Sequence, residues 1–536
     1  MKILIADKLA PEGSDYLKSQ DNVSVTIQPG LSDQDLAEAL KIHDGVVIRS
    51  AVKITSDILD ACMPNGSLLK GIARAGVGID NIDLKAATRY GVAVMNSASA
   101  STITTAEHAF ALLIALARNI PHSHMTMAGG GWDRSAYTGV QLHGRTLGVV
   151  GFGRIGQTLA QRAIAFGMKV IAYDPYYNAD SALDGAVTMV RSFDDMVPNV
   201  DAISFHVPKN ETTTGMMGRE QFAKARPCLL LVNASRGGII DETALLEALD
   251  AGQCAGAAID VYEQEPPPAD SPLRNHPKIV TTPHLGASTT EAQEAVAVDA
   301  CKSLLNYLRG LPVEGAVNIG SLSLDLSDRQ RTCVELGSRM IALVNAAQPE
   351  QSLTGVTFTL RGESLASRAD TIARYALATL LRSHLDQAVN VVNAALIAEQ
   401  RNIESQTVIA ADTGEDRMTI ELRTHDGKML RVEGTIDTQN RPRITHVLGY
   451  SMDMVPEGHM ILLTNADEPG RIGLVGQIIG EAGVNIAEMV IGRAGNGEAG
   501  QVAMMVIKID AEPTDALLDA LRNAPGILTV ASVALA

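Results

Sequence analysis

The sequence predicts an α/β fold class, built mainly from doubly wound parallel-sheet domains and closing on a ferredoxin-like βαββαβ unit. Three observations carry this. Short apolar strands alternate with helical stretches from the N-terminus onward. A strand at 147–150 runs into Gly151-Phe152-Gly153-Arg154-Ile155-Gly156 and then into a helical pattern. The last segment, 459–536, reads strand, helix, strand, strand, helix, strand. With 536 residues, 46% hydrophobic and 20% charged, the chain exceeds a single core, and about three or four domains are expected.

The first strands are expected at 3–6, 23–27, 45–48, 71–73 and 92–95, with Leu36, Leu40, Ile58 and Leu59 at helix core positions. Ligands of such sheets sit beyond the carboxyl ends of the strands. Arg49 and Arg74 fall there, the latter opening Arg74-Ala75-Gly76-Val77-Gly78-Ile79-Asp80-Asn81. Two strand-end arginines point to an anionic substrate, with Gly76 in a turn of the kind whose backbone amides also bind anions. The plainer alternative pairs each arginine with a surface carboxylate. At 104–120 a long apolar stretch (Ala106, Phe110, Leu113, Ile114, Leu116, Ala117) predicts one buried helix after a Ser/Thr-rich start.

In the stretch 146–174, Gly151 permits a tight turn, Gly153 lets the backbone approach a pyrophosphate and Gly156 allows close helix-to-strand packing. The phosphates face the amides of the helix N-terminus, which brings in Arg154 and Ile155. Leu159, Ala160, Ala163 and Ile164 share one helix face. The next strand, 169–173, ends in Asp174, close to the usual spacing of about twenty residues. An acid there accepts both ribose hydroxyls and repels a 2′-phosphate, which selects NAD over NADP. The alternative, glycines that merely shape a turn, does not require strand, helix, second strand and acid to fall in register. Strands at 202–207, 229–232, 256–261 and 279–282 bring this sheet to about six.

Three polar residues closely follow three of those strands: Arg236 in Asn233-Ala234-Ser235-Arg236-Gly237-Gly238, Glu265 beyond Asp260-Val261-Tyr262, and His284 in Thr282-Pro283-His284-Leu285-Gly286. All three converge on the cofactor edge, and Asp260 is counted with the cofactor residues. The chemistry this permits is hydride transfer, in which an alcohol proton leaves as hydride passes to a nicotinamide. A histidine titrates near neutrality and suits the proton transfer. Glu265 on the other ring nitrogen fixes the tautomer and favours the imidazolium when a carbonyl must be polarised. Arg236 offers a bidentate grip on a carboxylate. The substrate so predicted is a 2-hydroxy or 2-oxo acid.

The net charge of -17 argues against nucleic acid or an anionic membrane as partner. Cys62, Cys228, Cys254, Cys301 and Cys333 show neither metal-ligand spacing nor a disulfide framework, and are read as buried apolar fillers in a reducing cytoplasm. The N-terminal apolar run is too short for a signal peptide, and no uncharged run approaches the roughly twenty residues of a membrane span. A soluble cytoplasmic protein is expected.

The glycine motif with Asp174, the run Ala234-Ser235-Arg236-Gly237-Gly238, the segment to Glu265-Pro266, and Pro283-His284-Leu285-Gly286-Ala287-Ser288-Thr289 resemble the D-2-hydroxyacid dehydrogenases. Residues 74–81 narrow the resemblance to the D-3-phosphoglycerate dehydrogenases. It implies a substrate domain at 1–97 and 289–317, an inserted NAD-binding Rossmann domain at 98–288, an α+β intervening regulatory domain at 318–456 and an ACT domain at 457–536. It further implies that Arg49 and Arg74 face 3-phosphoglycerate, oxidised to 3-phosphohydroxypyruvate in the first step of L-serine biosynthesis. Arg134, in Trp132-Asp133-Arg134-Ser135, would reach a neighbouring subunit's site.

One departure bears on phosphate selectivity rather than on reaction type: Asn96-Ser97-Ala98-Ser99-Ala100-Ser101 stands where the family has Asn-Ala-Pro-x-x-Asn. A connector is expected at 320–327, then helical segments at 336–347 and 371–380 and strands at 355–360 and 418–422. Ala388-Val389-Asn390-Val391-Val392-Asn393-Ala394 resembles the intervening domain. Asp467-Glu468-Pro469-Gly470-Arg471-Ile472 and Gly483-Val484-Asn485-Ile486 resemble the ACT module, which implies that Asp467 and Asn485 hold an amino acid, L-serine being the expected inhibitor. It also implies pairing into a homodimer or homotetramer. A helix N-terminus and a turn without ligand are the plainer alternative. Two rivals remain open: another D-2-hydroxyacid dehydrogenase of the hydroxypyruvate or glyoxylate reductase type, and an NAD-sensing scaffold.

Overall fold

The computed structural model describes every residue except 65, 312, 314, 320, 321, 323–325, 349–351, 386, 387, 411–413, 494–501 and 536. Much of the expected connector at 320–327 therefore lies outside the described residues.

The first sheet is parallel and runs β2-β1-β3-β4-β5, from β1 (Lys2–Ile5), β2 (Ser24–Ile27), β3 (Gly45–Ile48), β4 (Gly71–Arg74) and β5 (Ala93–Asn96). Its strands are near-continuous runs of Val, Ile, Leu and Ala because both faces are covered. On one face Leu36, Leu40, Ile58 and Leu59 pack under three short helices. On the other, helix Pro11–Lys18 and the much later helix Thr290–Leu308 supply Leu17, Val296, Cys301 and Leu304. Gly45 and Gly71 let that helix come close, since a Cβ on either would lie 2.9 Å from the Leu304 side chain.

The second sheet comprises β6 (Thr146–Val150), β7 (Lys169–Tyr173), β8 (Ser181–Ala182), β9 (Val187–Val190), β10 (Ala202–Phe205), β11 (Leu230–Asn233), β12 (Gly256–Ile259) and β13 (Ile279–Thr281), ordered β13-β12-β11-β10-β6-β7-β9-β8. The order reverses at β6, next to the glycine turn, which places a ligand crevice there. Eight strands stand where about six are expected. The two additional ones are short and flank a turn at Leu183-Asp184-Gly185, all three with positive φ, so each reads locally as loop.

The single helix expected at 104–120 is two, Thr102–Ala117 and Ile120–Ala128, divided where Asn119 takes φ 52. Apolar pattern alone misses the break because Ile120 continues the hydrophobic run. Four of the cysteines are buried as expected, but Cys228 is exposed, since it lies in the turn before β11 rather than in the strand.

In the C-terminal half, helices Asp328–Ala347 and Ala369–Arg382 pack on a six-stranded sheet through Leu336, Met340, Ile372, Phe358, Ile420 and Val432. The last sheet is antiparallel, with its strands in the order second, third, first, fourth, the ferredoxin-like arrangement. Met460, Leu462, Met504 and Val506 face the preceding domain's core, while Ile461, Leu463, Met505 and Ile507 face helices Arg471–Glu481 and Asp515–Arg522. The period-2 alternation thus serves two cores at once. No described helix is long and apolar enough to cross a membrane.

Candidate active site

Arg236, Glu265 and His284 follow β11, β12 and β13, three neighbours in one sheet, so parallel pairing delivers them to one edge. His284 Nδ1 lies 2.7 Å from Glu265 Oε2, and the other oxygen of Glu265 accepts the Tyr262 amide at 3.1 Å. With the carboxylate accepting the Nδ1 proton, Nε2 keeps its lone pair for an incoming hydroxyl. Both side chains are partly exposed, open to the cleft. The loop carrying Arg236 presses on the same segment: a Cβ on Gly237 would lie 1.7 Å from the Tyr262 carbonyl oxygen.

His284 itself takes φ 56, a conformation that costs a residue other than glycine about 1 to 3 kcal/mol unless its surroundings hold it. Asp260 does the holding. Its carbonyl accepts the His284 amide at 2.9 Å, while its fully buried carboxylate accepts the amides of Leu285 and Gly286 at 2.8 and 2.9 Å and the Thr282 hydroxyl. His108 Nε2 approaches the same carboxylate at 3.2 Å. Burial alone pushes this carboxyl up, and the hydrogen bonds from His108, Thr282 and Leu285 more than reverse it, so it sits below the ordinary range. Both Asp260 oxygens are thus engaged within the chain. The role of Asp260 and His108 was not legible, because it depends on backbone amides brought round by a left-handed turn.

Across the cleft, Arg74 ends β4 and Arg49 follows β3. Gly76 has φ 141, and a Cβ on it would lie 1.7 Å from Arg74 Nη1, so only glycine lets this guanidinium lie along the turn. Burial, with repulsion from Arg236 and Arg49, pulls Arg74 down to about 10. Its Nε is buried without a hydrogen-bond partner. Arg49 donates to the Lys8 carbonyl at 3.3 Å and lines a cavity of about 500 Å³ with Pro11, Ser288, Thr289 and Gln293. Asp80, in the turn after β4, reaches over to Arg236 Nε at 2.9 Å. Of the departing loop, Ser97 donates to the Val296 carbonyl, whereas the buried Ser101 hydroxyl has no partner.

At the glycine turn Gly151 has φ 86, and a Cβ on Gly156 would lie 2.1 Å from the Gly151 carbonyl oxygen. Nothing lies within 4 Å of a Cβ placed on Gly153, so the backbone there faces open space. Arg154 and Ile155 begin the helix Arg154–Ala165, whose first amides point into that space. Asp174 accepts the Phe152 amide at 2.8 Å and the Tyr176 amide at 2.9 Å, using one lone pair of each oxygen and leaving others for ribose hydroxyls. These residues fit a dinucleotide. His206, next to the turn at the end of β10, is pulled down to about 4 by burial and is therefore a neutral wall of the crevice.

Three predicted residues lie apart from this cleft. Arg134 is exposed and lines a separate cavity with Ser123, Thr126, Trp132 and Tyr137. Asp467 pairs with Arg493 at 2.8 Å, and Asn485 donates to Asp510 at 2.8 Å, both in the C-terminal domain.

Comparison with known proteins gives the family. Residues 110–286 match the D-isomer specific 2-hydroxyacid dehydrogenase NAD-binding domain, 331–448 the D-3-phosphoglycerate dehydrogenase intervening domain, and 459–526 the ACT domain. The chain is 36% identical to D-3-phosphoglycerate dehydrogenase of Bacillus subtilis over 99% of its length and 98% of that protein. It is also 36% identical to that of Archaeoglobus fulgidus over 100% of both. Among solved structures, an NAD-dependent formate dehydrogenase from Staphylococcus aureus in complex with NAD superposes with a TM-score of 0.53 at 28% identity, covering 59% of this chain and 99% of that one. A glyoxylate reductase from Paecilomyes thermophila gives 0.54 at 28%, covering 59% and 98%. The chain is an NAD-dependent oxidoreductase acting on a CH–OH group and belongs to the D-3-phosphoglycerate dehydrogenase family.

Proposed function

We propose that the chain oxidises the C2 alcohol of 3-phosphoglycerate to 3-phosphohydroxypyruvate with NAD, the first step of L-serine biosynthesis. The observation that carries the substrate class is Arg74, a half-buried guanidinium whose buried Nε has no hydrogen-bond partner, beside two further cations. A charge so placed is costly until an anion reaches it. A carboxylate and a phosphate monoester together match Arg49, Arg74 and Arg236 better than a carboxylate alone.

Arg236 holds the C1 carboxylate, which brings C2 to His284. Nε2 of His284 takes the hydroxyl proton, and Glu265 on Nδ1 steadies the imidazolium so formed. NAD, held by the glycine turn, would supply the acceptor for the hydride that leaves C2. Gly151, Gly153, Arg154, Ile155 and Gly156 would hold the pyrophosphate and Asp174 the ribose, while Asp260 fixes the loop that carries His284. We divide the chain at 97/98, 288/289, 317/318 and 456/457 into the substrate domain, inserted cofactor domain, intervening domain and ACT domain.

Helix Ile120–Ala128 buries none of its residues, and Met125 on it and Trp132 in the segment that follows are 71% and 76% exposed. That apolar face supports a second copy as its cover, in a homodimer or homotetramer that carries Arg134 to the neighbour's cleft. In the ACT domain the ammonium of L-serine would replace Arg493 on Asp467, with Asn485 on its carboxylate or hydroxyl.

The test is the initial rate with 3-phosphoglycerate against glycerate, with and without L-serine. Charge-assisted hydrogen bonds contribute about 1.5 to 3 kcal/mol each, so a preference of roughly a hundredfold for the phosphorylated acid is expected. Equal turnover would move the chain to a general hydroxyacid dehydrogenase. A rate indifferent to serine would remove serine from the ACT domain.

A further inference from the structure

We propose that Asp80 is a positioning residue for Arg236, holding its guanidinium across the cleft in the orientation that grips the substrate carboxylate. This rests on the reading of Arg236 given above. Asp80 belongs to the turn after β4 in the first sheet's domain, and Arg236 to the turn after β11 in the second. Their contact, Nε to Oδ2 at 2.9 Å, spans 156 residues of sequence.

The guanidinium is fixed on three sides. Nε donates to Asp80, Nη1 donates to the Ser235 carbonyl at 2.6 Å, and Nη2 lies against Gly78. A Cβ on Gly78 would stand 1.7 Å from Nη2 and 3.0 Å from Asp80 Oδ2, so the bare glycine backbone is the third wall. An arginine can offer a carboxylate either its Nε edge or its terminal pair of nitrogens. With Asp80 on Nε and one Nη1 proton on the Ser235 carbonyl, the terminal edge formed by the second Nη1 proton and Nη2 is what remains for substrate.

A purely structural role is a poor account of this contact. The Asp80 side chain is 62% exposed, and ion pairs at such exposure contribute little to stability. The acid also acts on Arg74, where its charge offsets part of the repulsion from Arg236 and Arg49. One carboxylate therefore orients Arg236 and moderates the cation cluster.

Steady-state kinetics on the full-length protein test this. Asp80→Ala should raise KM for 3-phosphoglycerate roughly ten- to hundredfold and lower kcat, the cost of a misplaced positioning group, with the dissociation constant for NAD unchanged. Asp80→Asn keeps an acceptor for Nε and should restore kcat, while inhibition by inorganic sulfate tightens because a negative charge has gone. Gly78→Ala pushes the guanidinium aside from the backbone and should reproduce the Asp80→Ala phenotype; its crowding falls on the ends of two flexible side chains, so the fold survives. In an Arg236→Lys background, Asp80→Ala should add nothing further. Kinetic constants within twofold of the parent for Asp80→Ala, with Arg236→Lys impaired, would overturn the role of Asp80 alone. An Arg236→Lys enzyme with unchanged KM would instead remove the reading of Arg236, and this proposal with it.

Discussion

Arg74 has its Nε buried without a hydrogen-bond partner, beside the charges of Arg236 and Arg49. Its pull down to about 10 has a definite consequence for binding. An anion bound at Arg74 holds the proton on, so the bound form titrates higher than the free form. The affinity gained from this charge is complete below about pH 10 and is lost as pH rises through it. The inhibition constant of a nonreactive anion such as sulfate should therefore weaken above that pH; an inhibition constant flat through this range would contradict the assignment. Removing the half-buried charge should also stabilise the fold. Arg74→Met is expected to raise Tm while raising KM for the phosphorylated acid steeply, a trade between stability and function. At this scale the sequence made Arg49, Arg74, Arg236, Glu265 and His284 visible through their strand-end positions. The role of Asp80 was not, because it depends on which turn faces which across the cleft, and Asp260, visible as a cofactor residue, gave no sign of the backbone amides it holds, since no spacing encodes either.

Among the elements, the turn from β6 into helix Arg154–Ala165 is the most tightly specified. Gly156→Ala sets a methyl against the Gly151 carbonyl, and the helix must move away from the strand that aims its amides. A loss of NAD affinity of roughly tenfold or more is expected, readable by cofactor titration, with the far-ultraviolet spectrum preserved. This turn was legible because glycine chemistry is local: each position answers to a contact within a few residues. The pair β8 and β9 was not, since a strand of Ser181–Ala182 and one of Val187–Val190 carry too few residues for alternation to register. The break at Asn119 escaped for the opposite reason, an apolar pattern that runs unbroken across a change of helix.

On the scale of the whole chain, the two halves share a core. Val392, from the intervening domain, is buried among Ile3, Val47, Ala73 and Leu304 of the first domain, and Asn390 donates to the Gly91 carbonyl at 2.8 Å. Burial of a charge at such a point is strongly destabilising. Val392→Asp should split urea unfolding into two transitions by releasing the halves from each other, whereas a single unshifted transition would show that the contact does not couple them. The sequence showed the resemblance of 388–394 but not its docking, because a valine pattern does not say which core it joins. The role of His284 in hydride transfer is measured by NADH formation from 3-phosphoglycerate in the parent and in His284→Ala, with NAD affinity determined for both. A kcat lower by roughly a hundred- to ten-thousandfold at unchanged NAD affinity is expected. A variant that turns over within a few fold of the parent would contradict it.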